Sequence, residues 1–233
     1  MDIDFSSYKA LTFDCYGTLI DWETGLVRSL QPFLQTKGHD LEAEDILALY
    51  ARFEPEAEQG PFKVYKDVLR ACMHAFARHL SFRLNGEEEN LLSRGIQNWQ
   101  PFPDTVAALT ELQTRYKLCI LSNIDEDLIA HSQRWLQVPF DAVITAEQLR
   151  SYKPAHAHFL EAPRKLGIPK SEILHVACSQ YHDIAPARAL GIASVWVNRR
   201  RGQAGTGASP ASNAQADLEV GSLTELVDLV FSE

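Results

Sequence analysis

Four polar clusters in this sequence each follow a short apolar run, in an order that composition does not force: acid, hydroxyl with amide, cation, acid. Asp14 opens Asp14-Cys15-Tyr16-Gly17-Thr18-Leu19 after the run Ala10 to Phe13, and Ser122-Asn123 follows Leu118 to Leu121. Lys153 stands before Pro154, and Asp183 closes Cys178-Ser179-Gln180-Tyr181-His182-Asp183. A carboxylate directly after a buried strand is costly to desolvate unless amides or a cation hold it. Held in that way it can act as a nucleophile and form an ester with carbon or phosphorus. The plainer alternative is an aspartate closing a strand-to-loop turn. Gly17 permits a tight turn whose amides point back at an anion.

An ammonium at Lys153 near Asp14 stabilises the ionised carboxylate and attracts an anionic substrate, whereas a lone loop lysine is simply solvated. Ser122 and Asn123 offer a hydroxyl and an amide to a carboxylate or phosphate, or else form a turn. Asp183 opens a helix, where capping is its plain role and pairing with Lys153 or orienting a water its functional one. His182 beside it has no acid partner that the sequence can place, and is read as a structural or surface histidine.

These residues need a scaffold that brings strand ends together. Apolar runs rich in β-formers appear at Ala10-Phe13, Leu118-Leu121, Ala142-Ile144, Ile173-Ala177 and Ala193-Val197, and after the first they alternate with amphipathic stretches of helical length. That rhythm predicts an α/β fold, a doubly wound parallel sheet with helices on both faces and ligands at the carboxyl ends of the strands. It breaks once, between Leu19 and about Trp99. There the stripes Leu26/Leu30/Phe33/Leu34, Ile46/Leu49/Tyr50/Phe53 and Val64/Val68/Leu69/Met73/Phe76 predict a small helical bundle.

The expected organisation is therefore a core of residues 1–19 and 99–233 with a helical cap of residues 20–98. Pro101-Phe102-Pro103-Asp104 marks the return to the core, with Asp104 able to cap the next helix. The Gly-, Ala- and Ser-rich stretch from Arg199 to Gln215 reads as an exposed flexible loop, followed by a last helix from Ser222 to Phe231.

The composition agrees with a folded enzyme-sized chain. Of 233 residues, 45% are hydrophobic and 23% charged, enough apolar side chain for a sizeable core. Lys and Arg number 22 against 31 Asp and Glu, and the net charge of −9 disfavours a nucleic-acid partner. No apolar run approaches the ~20 residues of a membrane span, and the start is acidic where a signal peptide is basic, so a cytoplasmic location away from membranes is expected. Cys15, Cys72, Cys119 and Cys178 have no metal-site spacing and are expected to be reduced thiols.

Together the four clusters resemble the motifs of the haloacid dehalogenase superfamily across essentially the whole chain. The first motif is Asp14 to Leu19, the second Leu121-Ser122-Asn123, the third Lys153-Pro154, and the fourth ends at Asp183. The resemblance implies a Rossmann-like core with a helical cap inserted after the first strand. Phosphatases of that superfamily carry a second aspartate two residues after the nucleophile, to protonate the leaving alkoxide; here that residue is Tyr16. They also carry an acidic pair in the fourth motif that helps to hold Mg²⁺, and the first member of the pair is here Cys178, a poor ligand for a hard cation. A halide needs neither proton nor metal to leave. The first motif looks like that of the type II 2-haloacid dehalogenases, hydrolases of short 2-haloalkanoates that use no metal and no cofactor.

The resemblance then implies roles. Asp14 attacks the halogen-bearing carbon and expels halide, and a water near Asp183 hydrolyses the resulting ester to the 2-hydroxy acid with inverted configuration. Lys153, Ser122 and amides near Tyr16 hold the substrate carboxylate. Asn123 and a cap arginine receive the halide; Arg52 is the first candidate, with Arg28 and Arg70 as alternatives and a solvated helix face as the plainer role. Tyr16, Thr18, Trp22, Ser179 and Gln180 complete the substrate and halide surroundings. Tyr16, Trp22 and Trp99 would exclude water, although packing at the core–cap seam also explains the tryptophans.

Typical members have serines and an asparagine at Cys178, Ser179 and Gln180, and a tyrosine at Phe159, whose absence removes a hydrogen bond near Lys153. Alternatives are a hydrolase of another activated carbon electrophile, such as a strained cyclic amino acid, a Mg²⁺-dependent phosphatase, or a non-catalytic binding protein of the same fold. Apolar cap faces permit a homodimer.

Overall fold

The computed structural model describes residues 3–202 and 207–232. Part of the Arg199 to Gln215 stretch, residues 203–206, lies outside the described residues. Six strands, β1 (Ala10–Phe13), β2 (Lys117–Ser122), β3 (Ala142–Thr145), β4 (Ile173–Ala177), β5 (Ala193–Val197) and β6 (Leu218–Val220), form one sheet in the order β3-β2-β1-β4-β5-β6. All its pairings are parallel. β1 and β4 are buried along their whole length, which is why they read as continuous apolar runs and not as alternating ones.

Chain order reverses at β1, with β2 and β3 on one side and β4, β5 and β6 on the other, so the crevice at its carboxyl end is the binding position of such a sheet. Phe13 is in register with both Ile120 and Val176, and the residues just after β1, β2 and β4 therefore emerge side by side.

Between β1 and β2 the chain forms α1 (Trp22–Thr36), α2 (Ala43–Glu58), α3 (Tyr65–Leu80) and the short α4 (Leu91–Gly95). The three stripes read from the sequence bury Leu26, Leu30 and Leu34 on α1, Ile46, Tyr50 and Phe53 on α2, and Val68, Leu69, Met73 and Phe76 on α3. The two connections to this bundle run together: Ile20 bridges to Pro101, and the Asp21 amide donates to the Gln100 carbonyl at 2.8 Å. Gly25 lets α1 approach Trp99, since a Cβ there would stand 2.3 Å from the indole.

After β2 come α6 (Glu126–Leu136), α7 (Ala146–Leu149) and α8 (Ala157–Leu166); α5 (Thr105–Leu112) precedes it, and α9 (Ala185–Ala189) and α10 (Leu223–Phe231) complete the layers. No described helix is long and apolar enough to cross a membrane.

Two local expectations are corrected. Asp104 does not cap α5. Its carboxylate accepts two bonds from Arg199, at 2.9 and 2.8 Å, and caps α10 through the Leu223 amide at 2.7 Å. The stretch after Arg199 is not simply exposed, because Ala208 is buried and its amide donates to Glu23.

The bundle is tied to the core from below. Buried Asp125, just before α6, accepts from the first amides of α3, Tyr65 at 2.6 Å and Lys66 at 2.9 Å, in place of a local cap. Asp125→Ala orphans both donors. It is expected to lower stability by about 1–3 kcal/mol in urea unfolding, and to loosen the bundle selectively, seen as faster amide exchange in α3 than in the sheet.

Candidate active site

Asp14 follows β1 directly, and its amide extends the ladder to Val176. Gly17 then turns at φ 95°, where a Cβ would meet Cys178 Sγ at 2.7 Å and Trp22 Nε1 at 2.9 Å. The turn brings Thr18 back, and its hydroxyl donates to Asp14 Oδ2 at 2.8 Å while accepting from the Cys178 amide at 2.9 Å. Thr18 is thus fully buried support for the carboxylate and does not reach a substrate, contrary to the expectation above.

Lys153 is the centre of the site. Its side chain is 1% exposed, and the ammonium donates to Asp14 Oδ1 at 2.8 Å, Asp183 Oδ1 at 2.7 Å and the Leu121 carbonyl at 2.9 Å, which uses its three protons. Asn123 fixes the lysine's backbone: its amide oxygen accepts from Lys153 N at 2.7 Å, and its nitrogen donates to Lys153 O at 3.0 Å. The clamp uses the Asn123 oxygen and one of its two N–H protons, and the residue also lines the cavity described below. The other carboxylate, Asp183, lies in a π-helical turn, Gln180–Ile184, capped by the Ser179 hydroxyl. His175 on β4 donates to Asp183 Oδ1 at 3.1 Å while Thr12 bonds its other ring nitrogen at 2.9 Å. Phe159 packs edge-on against this histidine, and Lys153 still has three acceptors, so the missing phenol leaves no gap in its bonding.

The charges follow from this geometry. Burial alone would push Asp183 up, but the Lys153 ammonium and His175 hold it down at about 2. Burial disfavours the charged form of Lys153, yet the two carboxylates outweigh that and raise it above the ordinary lysine value. Asp14 is pushed up from the usual carboxylate value by burial and by the charge of Asp183, against the pull of Lys153 and Thr18. A raised carboxylate is the more basic and more nucleophilic of the two.

Above these groups lies a cavity of about 60 Å³ lined by Asp14, Tyr16, Ser122, Asn123 and Lys153, with Ser179, His182 and Asp183 beside them, Trp22, Glu54 and Tyr65 from the helical bundle, and Trp99 at the seam between the two. Ser122 Oγ and Asp183 Oδ2 are buried without a protein partner among the described residues and are free to bond a ligand. The Tyr16 hydroxyl is tied to Ser132 at 2.9 Å and its ring meets Trp99 edge-on at 5.9 Å. Trp22 meets Tyr50 in the same way at 5.6 Å, which makes an aromatic wall of the cap seam. Among the described residues, no group of three His, Cys, Asp or Glu side chains is placed to hold a metal ion.

Four expected members are not brought here. Arg52 is exposed, bonded to His79 at 3.3 Å and stacked over Phe53, because α2 turns that position away from the cavity. Arg70 pairs with Asp67, and Arg28 lines a separate cleft of about 850 Å³ beyond Trp22 whose walls do not include Asp14. Gln180 donates to the Ala214 carbonyl at 2.8 Å and faces that same cleft. The wider π turn points His182 into the cavity instead. Burial lowers His182 to about 4, so it is neutral near neutral pH. Sequence reasoning missed His175, Glu54 and the cavity role of His182. For Glu54 the available signal was an acid interrupting the apolar stripe next to Phe53 on α2.

A model of the haloacid dehalogenase-like hydrolases matches residues 8–191. The (S)-2-haloacid dehalogenase of Pseudomonas sp. (strain YL) is 28% identical over 237 residues, covering 95% of this chain and 94% of that one. The (S)-2-haloacid dehalogenase of Pseudomonas putida is 25% identical over 212 residues, covering 83% and 86%. A crystal structure of an L-2-haloacid dehalogenase superposes with a TM-score of 0.81 at 25% identity, covering 97% of this chain and 100% of that chain.

Proposed function

This chain belongs to the haloacid dehalogenase-like hydrolases, and from that premise we propose that it is a cytoplasmic 2-haloacid dehalogenase working through an ester on Asp14. The observation that carries the reading is the Lys153 ammonium clasped between Asp14 and Asp183, with the unpartnered Ser122 hydroxyl beside it. Lys153 and Ser122 present positive charge and a donor to the substrate carboxylate, which aligns the α-carbon with Asp14. A carboxylate lone pair attacks that carbon from the side opposite the halogen, the carbon–halogen bond breaks, and the halide leaves with the electron pair.

Hydrolysis follows at the ester carbonyl of Asp14. Lys153 and Thr18, already bonded to the two carboxylate oxygens, stabilise the tetrahedral oxyanion without reorganising. Asp183, held ionised, orients the water through its free Oδ2. The neutral His182 is a base that can take the water's proton. Tyr16, Trp22 and Trp99 keep other water from the carbon under attack.

The phosphatase alternative is less well supported. Tyr16 stands where the proton donor to a leaving alkoxide would be, with its hydroxyl tied to Ser132, and the Cys178 thiol, pushed up by burial and so neutral, is a poor ligand for a hard cation.

The test is halide release from each enantiomer of 2-chloropropionate, with and without EDTA. Release from the (S) enantiomer at an EDTA-independent rate is expected. No release from either enantiomer or from haloacetates contradicts the proposal.

A further inference from the structure

Glu54 roofs the cavity above Asp14 from α2. It is only 9% exposed, and among the described residues no arginine lines that cavity with it. A buried carboxyl with no cation beside it is stable only in its neutral form, when it becomes a hydrogen-bond donor. The surrounding bonds leave one oxygen open for the proton. The Tyr65 hydroxyl donates to Glu54 Oε1 at 3.1 Å and is itself bonded by the Tyr50 hydroxyl at 3.0 Å, so Oε1 is the acceptor oxygen. A proton on Oε2 leaves the Tyr65 bond to Oε1 intact and gives the carboxyl an O–H to donate.

Most other donors near the reacting carbon are committed, Ser122 in the reading above to the substrate carboxylate. Lys153 uses all three protons and Tyr16 is tied to Ser132, while the Trp99 indole N–H is buried without a partner among the described residues and is the second donor the cavity offers beside Glu54.

We propose that Glu54, through its Oε2–H, is the residue that receives the departing halide, so that this site holds its leaving group with a titratable donor in place of a permanent cation. The inference rests on the 2-haloacid reading above. The carbon–halogen electron pair leaves with the halide, which accepts a hydrogen bond from Glu54, and no proton needs to be transferred for the bond to break. The substituent best served is a halide or another leaving group that accepts a hydrogen bond as it departs. An anion arriving above an ionised Glu54 would be repelled, and halide affinity therefore falls as Glu54 loses its proton.

Burial pushes Glu54 up to about 7, the Tyr65 bond opposing. The groups around it are Tyr50 and Glu58 on its own helix, Tyr65 and Cys72 on α3, Lys63 between the helices, Tyr152 from the core, and Asp14, Lys153, His182 and Asp183 on the floor. Lys63 is bonded to the Ala57 and Gln59 carbonyls instead of to Glu54. Glu58 is raised to about 9 by burial and by Glu54, while His182 lies at about 4 and Asp183 at about 2. Glu54 thus titrates between them.

Bromide titration followed by tryptophan fluorescence tests this, because Trp22 and Trp99 line the cavity. The wild-type chain is expected to bind bromide roughly tenfold or more weakly at about pH 8.5 than at about pH 6. Glu54→Gln, whose amide donates at every pH, should bind equally at both, and Glu54→Leu should lose binding at both. Wild-type binding that does not change with pH, a Gln variant that keeps the wild-type dependence, or a Leu variant that binds like wild type overturns the inference. Chloride release from 2-chloropropionate decides the underlying reading separately. Its absence alongside bromide binding that follows Glu54 would remove the reading and leave the halide site standing.

Discussion

Lys153→Met is expected to abolish measurable turnover and to lower stability by about 3–5 kcal/mol, because it leaves two buried carboxylates facing each other with no cation between them. In the native chain the ammonium satisfies Asp14 and Asp183 at 2.8 and 2.7 Å, and neither has another positive partner as close. Without it at least one must take up a proton. Asp14, already the higher of the two, is the one that does so, and a protonated carboxyl is no nucleophile.

The stability loss has a definite pH dependence. Asp183 is held at about 2 in the folded chain, below its ordinary value of 3.8, so it contributes stability at pH above that ordinary value, lost as pH falls through about 2. In the methionine variant the pair is raised in the folded state, and its contribution changes sign: keeping both groups ionised now opposes folding. The variant's deficit should be largest near neutral pH and shrink toward about pH 4, as read by denaturant unfolding at the two values. A deficit that is the same at both would show that the lysine acts through packing alone.

Asp14→Asn separates chemistry from structure. The amide keeps the shape of the carboxyl but has no nucleophilic oxygen of comparable strength, and turnover is expected to fall by about 10⁴-fold or more. The fold should survive. Burial and the neighbouring Asp183 charge push the Asp14 carboxyl up, so its ionisation does not favour folding at neutral pH, and the loss of one acceptor from Lys153 is partly offset by removing that cost. Little change in melting temperature alongside lost halide release is the expected pattern. A variant that still releases halide at a rate near wild type removes Asp14 from the reaction.

The parts of this site that could be read from the sequence are those a strand end delivers. Asp14, Ser122 and Asp183 each stand just past a continuous apolar run, and parallel pairing in register makes such positions neighbours whatever the intervening chain does. Lys153 was readable because its sign complements two acids. What could not be read depends on helix rotation and on long-range caps. Arg52 and Glu54 are two residues apart on α2, about 200° of rotation, and which of them faces Asp14 depends on how the bundle docks, which Asp125 and Tyr152 set from the core. In the fourth motif the chain runs through a π turn instead of a regular helix start, and His182 and not Gln180 lines the cavity. β6 is three residues long, too short to show a period, and only its pairing with β5 makes it a strand.

The central claim is a covalent bond between substrate and Asp14. Its most direct test is a single turnover of (S)-2-chloropropionate in ¹⁸O-water with enzyme in excess, followed by mass analysis of the peptide that contains Asp14. The ester route predicts heavy oxygen in the Asp14 carboxylate and none in the first 2-hydroxy acid released. Label in the product with an unlabelled Asp14 would mean that water attacks the substrate directly, and would contradict the account.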